Sequence, residues 1–235
     1  MDFHAPPRLQ KRNPLALWTA GDDSPVIQYE IGPLKNLVYL VIDWTTRKTL
    51  WVDPQADLSL PLQDCARFQL KTEGVLLTHT HPDHTAGVPG LLERFPQIPI
   101  YLHRHDTHRL TPHLAAGLKA PLRYLDDHES LSLGTLTIRA LHSPGHSAGA
   151  LTYLLDDAIL TGDTIFIRDC GRTDLPTGST REMFETLQRF RALNPKLHLF
   201  PGHHYQKEYW STLEQELQLS PPFQCRSVEE LEALP

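Results

Sequence analysis

Thr78-His79-Thr80-His81-Pro82-Asp83-His84 follows directly on the apolar run Val75-Leu76-Leu77. It sets three imidazoles and a carboxylate within six positions. Alternate side chains of an extended chain share a face, so His79 and His81 are expected to point together from the end of a strand. Pro82 cannot continue that strand. The chain turns there and brings Asp83 and His84 to a second position nearby. Two histidines on one face with an Asp-His pair beside them make half-sites for two metal ions. A histidine-rich polar turn would account for His-x-His alone. It does not account for four metal-type side chains at fixed offsets behind a buried strand.

Before this stretch, residues 26–31, 37–42 and 49–52 read as strands rich in β-branched and aromatic residues. Gly32-Pro33 and the charged turn 43–48 separate them, which fits an antiparallel start to a buried sheet. Asp53 closes the third strand before Pro54, either as a turn cap or as support for the histidine loop. A helix is expected over 61–68, the strand 74–77 delivers the histidines, and a second helix over 87–95 sets Val88, Leu91, Leu92 and Phe95 on one face. A further strand spans 99–102. The segment 103–128 shows no regular period, and His103, His105, His108, His113 and His128 share no ligand spacing; solvated or capping roles are expected for them.

Residues 131–133 and 136–141 read as a hairpin about Gly134, and 150–155 and 158–161 as two strands joined by Asp156-Asp157. An amphipathic helix capped by Ser179 or Thr180 is expected over 180–190, with Glu182 in its first turn. The last strand covers 197–200; a helix over 208–219 and a Pro-interrupted tail follow. Strand-helix alternation thus occurs twice, giving an α/β chain folded as an αββα sandwich of two half-domains. The expected organisation is an N-terminal arm over 1–25, a catalytic domain over 26–206, and a C-terminal helix and tail over 207–235 packed on the same domain.

The 235 residues suffice for one large core. Hydrophobic and charged contents of 40% and 21% are those of an ordinary soluble enzyme. A net charge of −6 supplies no dense cationic face and argues against a general nucleic-acid binder. Cys65, Cys170 and Cys225 are odd in number and far apart, so a disulfide framework is not expected. No window reaches the apolar length of a membrane span. Met1-Asp2-Phe3-His4-Ala5-Pro6-Pro7 lacks a basic region followed by an apolar one. The chain is therefore read as cytoplasmic and reduced, with no membrane partner. No apolar stripe is left over to demonstrate an oligomer.

Three later loops each start at the end of an expected strand and set one metal-type residue beside a glycine: Gly145-His146, Gly162-Asp163 and Gly202-His203. Glycine permits the tight turn and close approach that a buried centre needs. Joined to His79, His81, Asp83 and His84, they suit two divalent ions sharing one bridging carboxylate. Zinc is the ion expected first; such ligands also accept iron and manganese.

The ordered set HTHPDH, SPGHSAG, TGDTIF and PGHHY resembles the metallo-β-lactamase superfamily over about residues 26–205. That resemblance implies an αββα sandwich with metals in a cleft at one edge. By motif position it implies His79, His81 and His146 on one ion, Asp83, His84 and His203 on the other, and Asp163 between them. A hydroxide held there attacks a carbonyl, and Asp83 doubles as proton acceptor. Gly162 to Asp174, above all Cys-Gly-Arg-Thr-Asp at 170–174, is similar to glyoxalase II and to persulfide dioxygenases, both acting on glutathione derivatives. In both, residues at the places of Arg172 and Tyr205 lie near the glutathione moiety. Arg172 suits a carboxylate with its planar fork, but also an internal salt bridge to Asp174 or Asp169. Cys170 is read as a buried structural thiol.

The chain departs from glyoxalase II in having only about thirty residues after Tyr205, too few for that family's helical C-terminal domain. The expected function is a glyoxalase II-like hydrolase of a glutathione-type thioester or related small ester. The competing expectations are a mono-iron persulfide dioxygenase using His79, His146 and Asp163, and a non-catalytic binding protein on the same fold. The expected partner is a small molecule, a glutathione conjugate among the candidates.

Overall fold

The structure is a computed structural model and describes residues 24–110 and 121–234. The expected N-terminal arm, up to residue 23, and His113 lie outside the described residues.

The first sheet opens with three strands whose turns fall where the sequence places them. These are β1 (Val26–Ile31), β2 (Asn36–Asp43) and β3 (Lys48–Val52), antiparallel in sequence. Every residue of β2 is buried because both of its faces are covered. Leu37, Tyr39 and Val41 enter the core between the sheets, while Val38, Leu40 and Ile42 face the helices. Period-two alternation is therefore present but hidden in a continuous apolar run. Parallel strands β4 (Lys71–Leu76), β5 (Ile100–Leu102) and β6 (Leu122–Tyr124) complete the sheet in the order β1-β2-β3-β4-β5-β6. Helices α1 (Ser59–Arg67) and α3 (Val88–Arg94) bury Cys65, Val88 and Leu91 against its outer face. Between them, Pro82 starts the short helix α2 (Pro82–Thr85).

The second sheet has the order β14-β13-β10-β9-β8-β7. It comprises β7 (Ser130–Leu133), β8 (Leu136–His142), β9 (Leu151–Leu154), β10 (Ala158–Gly162), β13 (His198–Pro201) and β14 (Ser211–Thr212). A small ribbon, β11 (Ile165–Phe166) with β12 (Asp169–Cys170), stands beside it. Helix α4 (Thr180–Phe190), capped by Ser179, buries Met183, Leu187 and Phe190 against the outer face. Ile138, Leu151, Tyr153, Leu160 and Phe200 meet the first sheet in the common core. The layers are thus helices, sheet, sheet, helices: the expected αββα sandwich. None of the helices among the described residues is long and apolar enough to cross a membrane.

The helix expected over 208–219 is corrected. It begins only at Leu213, as α5 (Leu213–Leu219), because Thr212 and Gln215 form a reciprocal capping box and Ser211–Thr212 pair with β13. The tail is not irregular: α6 (Pro221–Gln224) and α7 (Val228–Glu232) bring Phe223 and Leu231 into the cluster with Met183 and Leu187. The segment after His103 includes a 3₁₀ turn at Arg104–Arg109 and β6.

Two parallel pairs end at the same edge of the sandwich. Strand β3 runs into Asp53 beside β4, which leads to Thr78; β10 and β13 run into Asp163 and His203. Hydrogen bonds stitch the sheets together there. Leu151 N donates to Thr78 O at 2.7 Å, Leu37 N to Gly202 O at 2.7 Å, and Tyr153 Oη to Leu77 O at 2.7 Å.

Candidate metal centre

At this edge the folded chain brings all seven expected ligand residues together. Strand β4 stops at Leu76, so His79 and His81 stand on the following loop rather than on the strand itself. Their rings nonetheless lie 4.7 Å apart, and each is within 4.9 Å of the His146 ring. One ligand atom each from His79, His81 and His146 fall within 4.8 Å of one another, and so do those of Asp83, His84 and His203. The Asp163 carboxylate lies between the two groups. Its Oδ2 is 3.6 Å from His146 Nε2, 3.9 Å from His79 Nε2 and 3.4 Å from His203 Nε2, while Oδ1 is 3.4 Å from His84 Nε2. Ligands about 2.0–2.1 Å from one tetrahedral ion stand about 3.3 Å apart, and these separations cluster near that value. Gly202 permits the approach: a Cβ there would sit 2.1 Å from Asp163 Oδ1.

Four of the histidines have their tautomer fixed from behind. His84 Nδ1 lies 3.0 Å from Asp53 Oδ2, His146 Nδ1 2.8 Å from Arg172 O, and His203 Nδ1 2.9 Å from Leu34 O. All three partners only accept, so each Nδ1 carries the proton. The Thr78 hydroxyl gives its one proton to Asp53 Oδ2 at 2.5 Å and therefore accepts from His79 Nδ1 at 3.1 Å. Every Nε2 lone pair then points inward. His84 Nε2 faces His203 Nε2 at 3.2 Å, and His146 Nε2 faces His81 Nδ1 at 2.9 Å. Among the described residues, buried His79 Nε2 and Asp163 Oδ1 find no hydrogen-bond partner. An imidazole lone pair facing another ring nitrogen or a carboxylate at these distances needs a proton or a cation between them, so the residues fit divalent metal.

Without metal, protons must serve. Burial pulls His203 down, but the Asp163 and Asp83 carboxylates outweigh it and raise its pKa to about 9. His84 is likewise raised, Asp163 and Asp53 overcoming its burial. His79, deeply buried and facing the His84 charge, is held well below its ordinary value. Burial would raise the Asp163 carboxyl, yet His84 and His203 hold it well below the carboxylate range. Asp83 is lowered in the same way against its burial, by His203, His84 and the Asn36 amide, whose Nδ2 donates to Oδ2 at 2.9 Å.

Asp53 combines both roles left open for it. It ends β3 and accepts from Thr78 N at 2.7 Å, from the Thr78 hydroxyl and from His84 Nδ1. Its oxygens are engaged behind His84, which makes it an anchor, although it also lies within ligand range of His79 and His84. Asp106 was not singled out by sequence. Fully buried, it accepts from Thr80 N at 3.2 Å, Ser147 Oγ at 2.8 Å and Gly149 N at 2.8 Å, and so clamps the His79–His81 loop to the His146 loop. Of the two expected substrate contacts, Arg172 forms an exposed two-pronged pair with Asp174, at 2.6 and 2.7 Å. Tyr205 is 55% exposed and stacks on the His203 ring at 4.9 Å, edge-on to Phe166. Burial pushes the Cys170 thiol up to about 12, in keeping with the structural thiol expected there.

Residues 37–203 match the sequence profile of the Metallo-beta-lactamase superfamily. The probable polyketide biosynthesis zinc-dependent hydrolase PksB of Bacillus subtilis (strain 168) is 30% identical, the match covering 77% of this chain and 81% of that protein. Hydroxyacylglutathione hydrolase of Actinobacillus pleuropneumoniae serotype 5b is 35% identical over 69% of this chain; the match spans 65% of that relative's length. Among solved structures, ETHE1 from Myxococcus xanthus superposes with a TM-score of 0.77 at 26% identity, covering 89% of this chain and 92% of the other.

Proposed function

Since the chain belongs to the metallo-β-lactamase superfamily, we propose that it is a metal-dependent hydrolase, glyoxalase II-like, acting on a glutathione-type thioester or a related small ester. The reading rests on one observation above all: inward lone pairs of outward-anchored histidines, grouped on both sides of the Asp163 carboxylate. His79, His81 and His146 would hold one ion and Asp83, His84 and His203 a second, with Asp163 shared. Zinc is the ion favoured, in keeping with the zinc-dependent name of the PksB relative. Two such ions, when bound, supply an activated water and polarise the acyl carbonyl.

The chain's own residues do the rest. Asp83 Oδ2, oriented by Asn36, accepts a hydrogen bond from the attacking water and then its proton. Tyr205 and Phe166 form an aromatic wall beside His203, against which the acyl or thiol portion packs. Arg172 meets a substrate carboxylate by exchanging it for Asp174 on the surface, where such a swap costs little.

A mono-iron oxygenase would use only His79, His146 and Asp163. It would leave Asp83, His84 and His203 gathered with no ion among them, and the convergence of that second set favours the two-ion reading. The deciding experiment counts metal per chain in protein purified without added metal and measures hydrolysis of an acylglutathione thioester. Two ions with turnover, and loss of both in Asp163→Ala, are the expected results. One iron per chain with oxygen uptake on glutathione persulfide, and His84→Ala fully active, would replace the proposal.

A further inference from the structure

Among the described residues, one group of metal-type side chains converges away from the centre: His103, His105 and His142. His103 directly follows β5, His105 lies in the 3₁₀ turn Arg104–Arg109, and His142 closes β8. The sequence gives no hint of the group, since His142 stands far along the chain from the other two and belongs to the other sheet. One ligand atom from each lies within 4.8 Å of the others. The His103 and His142 rings stack at 4.1 Å, and the His105 ring stands edge-on to His103 at 4.7 Å.

The capping role expected for His103 is present but weak: its Nδ1 accepts from His105 N at 3.4 Å. His142 Nε2 donates to Ala148 O at 2.8 Å, which fixes the proton on that nitrogen and leaves Nδ1 as a lone pair. The His105 ring makes no hydrogen bond among the described residues, so one ring of the three is unassigned to any structural bond. Burial, with His142 and His105 beside it, lowers His103 to about 4, so it stands neutral, its Nδ1 lone pair held only by that 3.4 Å bond. Asp126 and Asp106 lie close enough to favour positive charge at the same place.

We propose that His103, His105 and His142 form a second, outer metal site for a zinc-class divalent ion, with water in the remaining position. Three imidazoles are a sufficient zinc ligand set when water fills the fourth place. The site joins the two sheets independently of the central one. It also touches the loops of the centre indirectly, because Asp106, next to His105, holds Thr80, Ser147 and Gly149. An ion on His105 would brace that clamp.

The test loads the central site first, removes loosely held metal, and titrates the full-length protein with zinc by calorimetry, with elemental analysis of the washed product. Wild type is expected to take up one equivalent more than His105→Ala and His142→Ala. Cobalt is expected to give a nitrogen-ligand visible spectrum that His105→Ala lacks. Equal uptake by wild type and His105→Ala would overturn the proposal, as would an extra equivalent that persists in both variants. His105 is exposed, so its variant decides the matter alone should His142→Ala fail to fold. Metal content of the centre before titration reports separately on the proposed hydrolase.

Discussion

Asp53 shows how much a single carboxylate carries at this edge. It sits at φ +49°, ends one strand, and satisfies a backbone amide, a hydroxyl and an imidazole of the neighbouring loop. Asp53→Ala is expected to leave those donors buried and unpaired, at about 1–3 kcal/mol for each group so stranded. Affinity for metal should fall about 10–100-fold, because His84 loses the partner that fixes its tautomer. Thermal unfolding and competitive metal titration check both; an unchanged metal affinity would remove Asp53 from the machinery. The candidate ligands were legible because histidine and aspartate beside glycine at strand ends are conspicuous. Asp106 was not, since its meaning lies in three groups 26 to 43 positions away. Leu34 contributes only a carbonyl, which any residue would offer.

Helix α4 supports the His146 loop from beneath. Ser179 N donates to Gly145 O at 2.8 Å, the Thr186 hydroxyl to Pro144 O at 2.7 Å, and the Met183 backbone lies where a Cβ on Gly145 would fall. Met183→Ala, at a fully buried position, should cost about 2–5 kcal/mol. Its cavity lies under that loop, so metal held through His146 should also exchange faster; stopped-flow transfer to a chelator measures this, and an unchanged rate would confine α4 to a packing role. The longer elements could be read because periodicity, caps and turn residues agreed along them. The two-residue strands β11, β12 and β14 are too short to show a period. The late start of α5 was written in Thr212 and Gln215, a capping signal three residues apart that apolar content over 208–219 obscured.

Across the whole molecule, Asp43 ties the sheets together at the end opposite the centre. It accepts from Thr45 N and the Thr46 hydroxyl in its own turn, and from Thr135 N and the Thr135 hydroxyl in the turn between β7 and β8. Burial would raise its pKa, but these donors prevail and lower it. A carboxylate depressed in the folded state stabilises the fold fully above its unfolded pKa, about 3.9. That contribution is lost as pH falls through the lower, folded value. Asp43→Asn should therefore be less stable at neutral pH and flatten the acid limb of the stability curve, as denaturant titrations from pH 7 to pH 2 would show. An unaltered acid limb would mean that other carboxylates govern acid unfolding. At the other end, neither group of metal-type residues is complete within one sheet: His79 and His81 await His146, and Asp83 and His84 await His203. During synthesis, the emerging chain therefore carries most of these side chains well before it can close either group; the one earlier set within ligand range, Asp53, His79 and His84, has its Asp53 oxygens engaged by Thr78 and His84. A nascent chain halted before residue 146 should retain no tightly held metal, and complete loading should follow release of residue 203 from the ribosome.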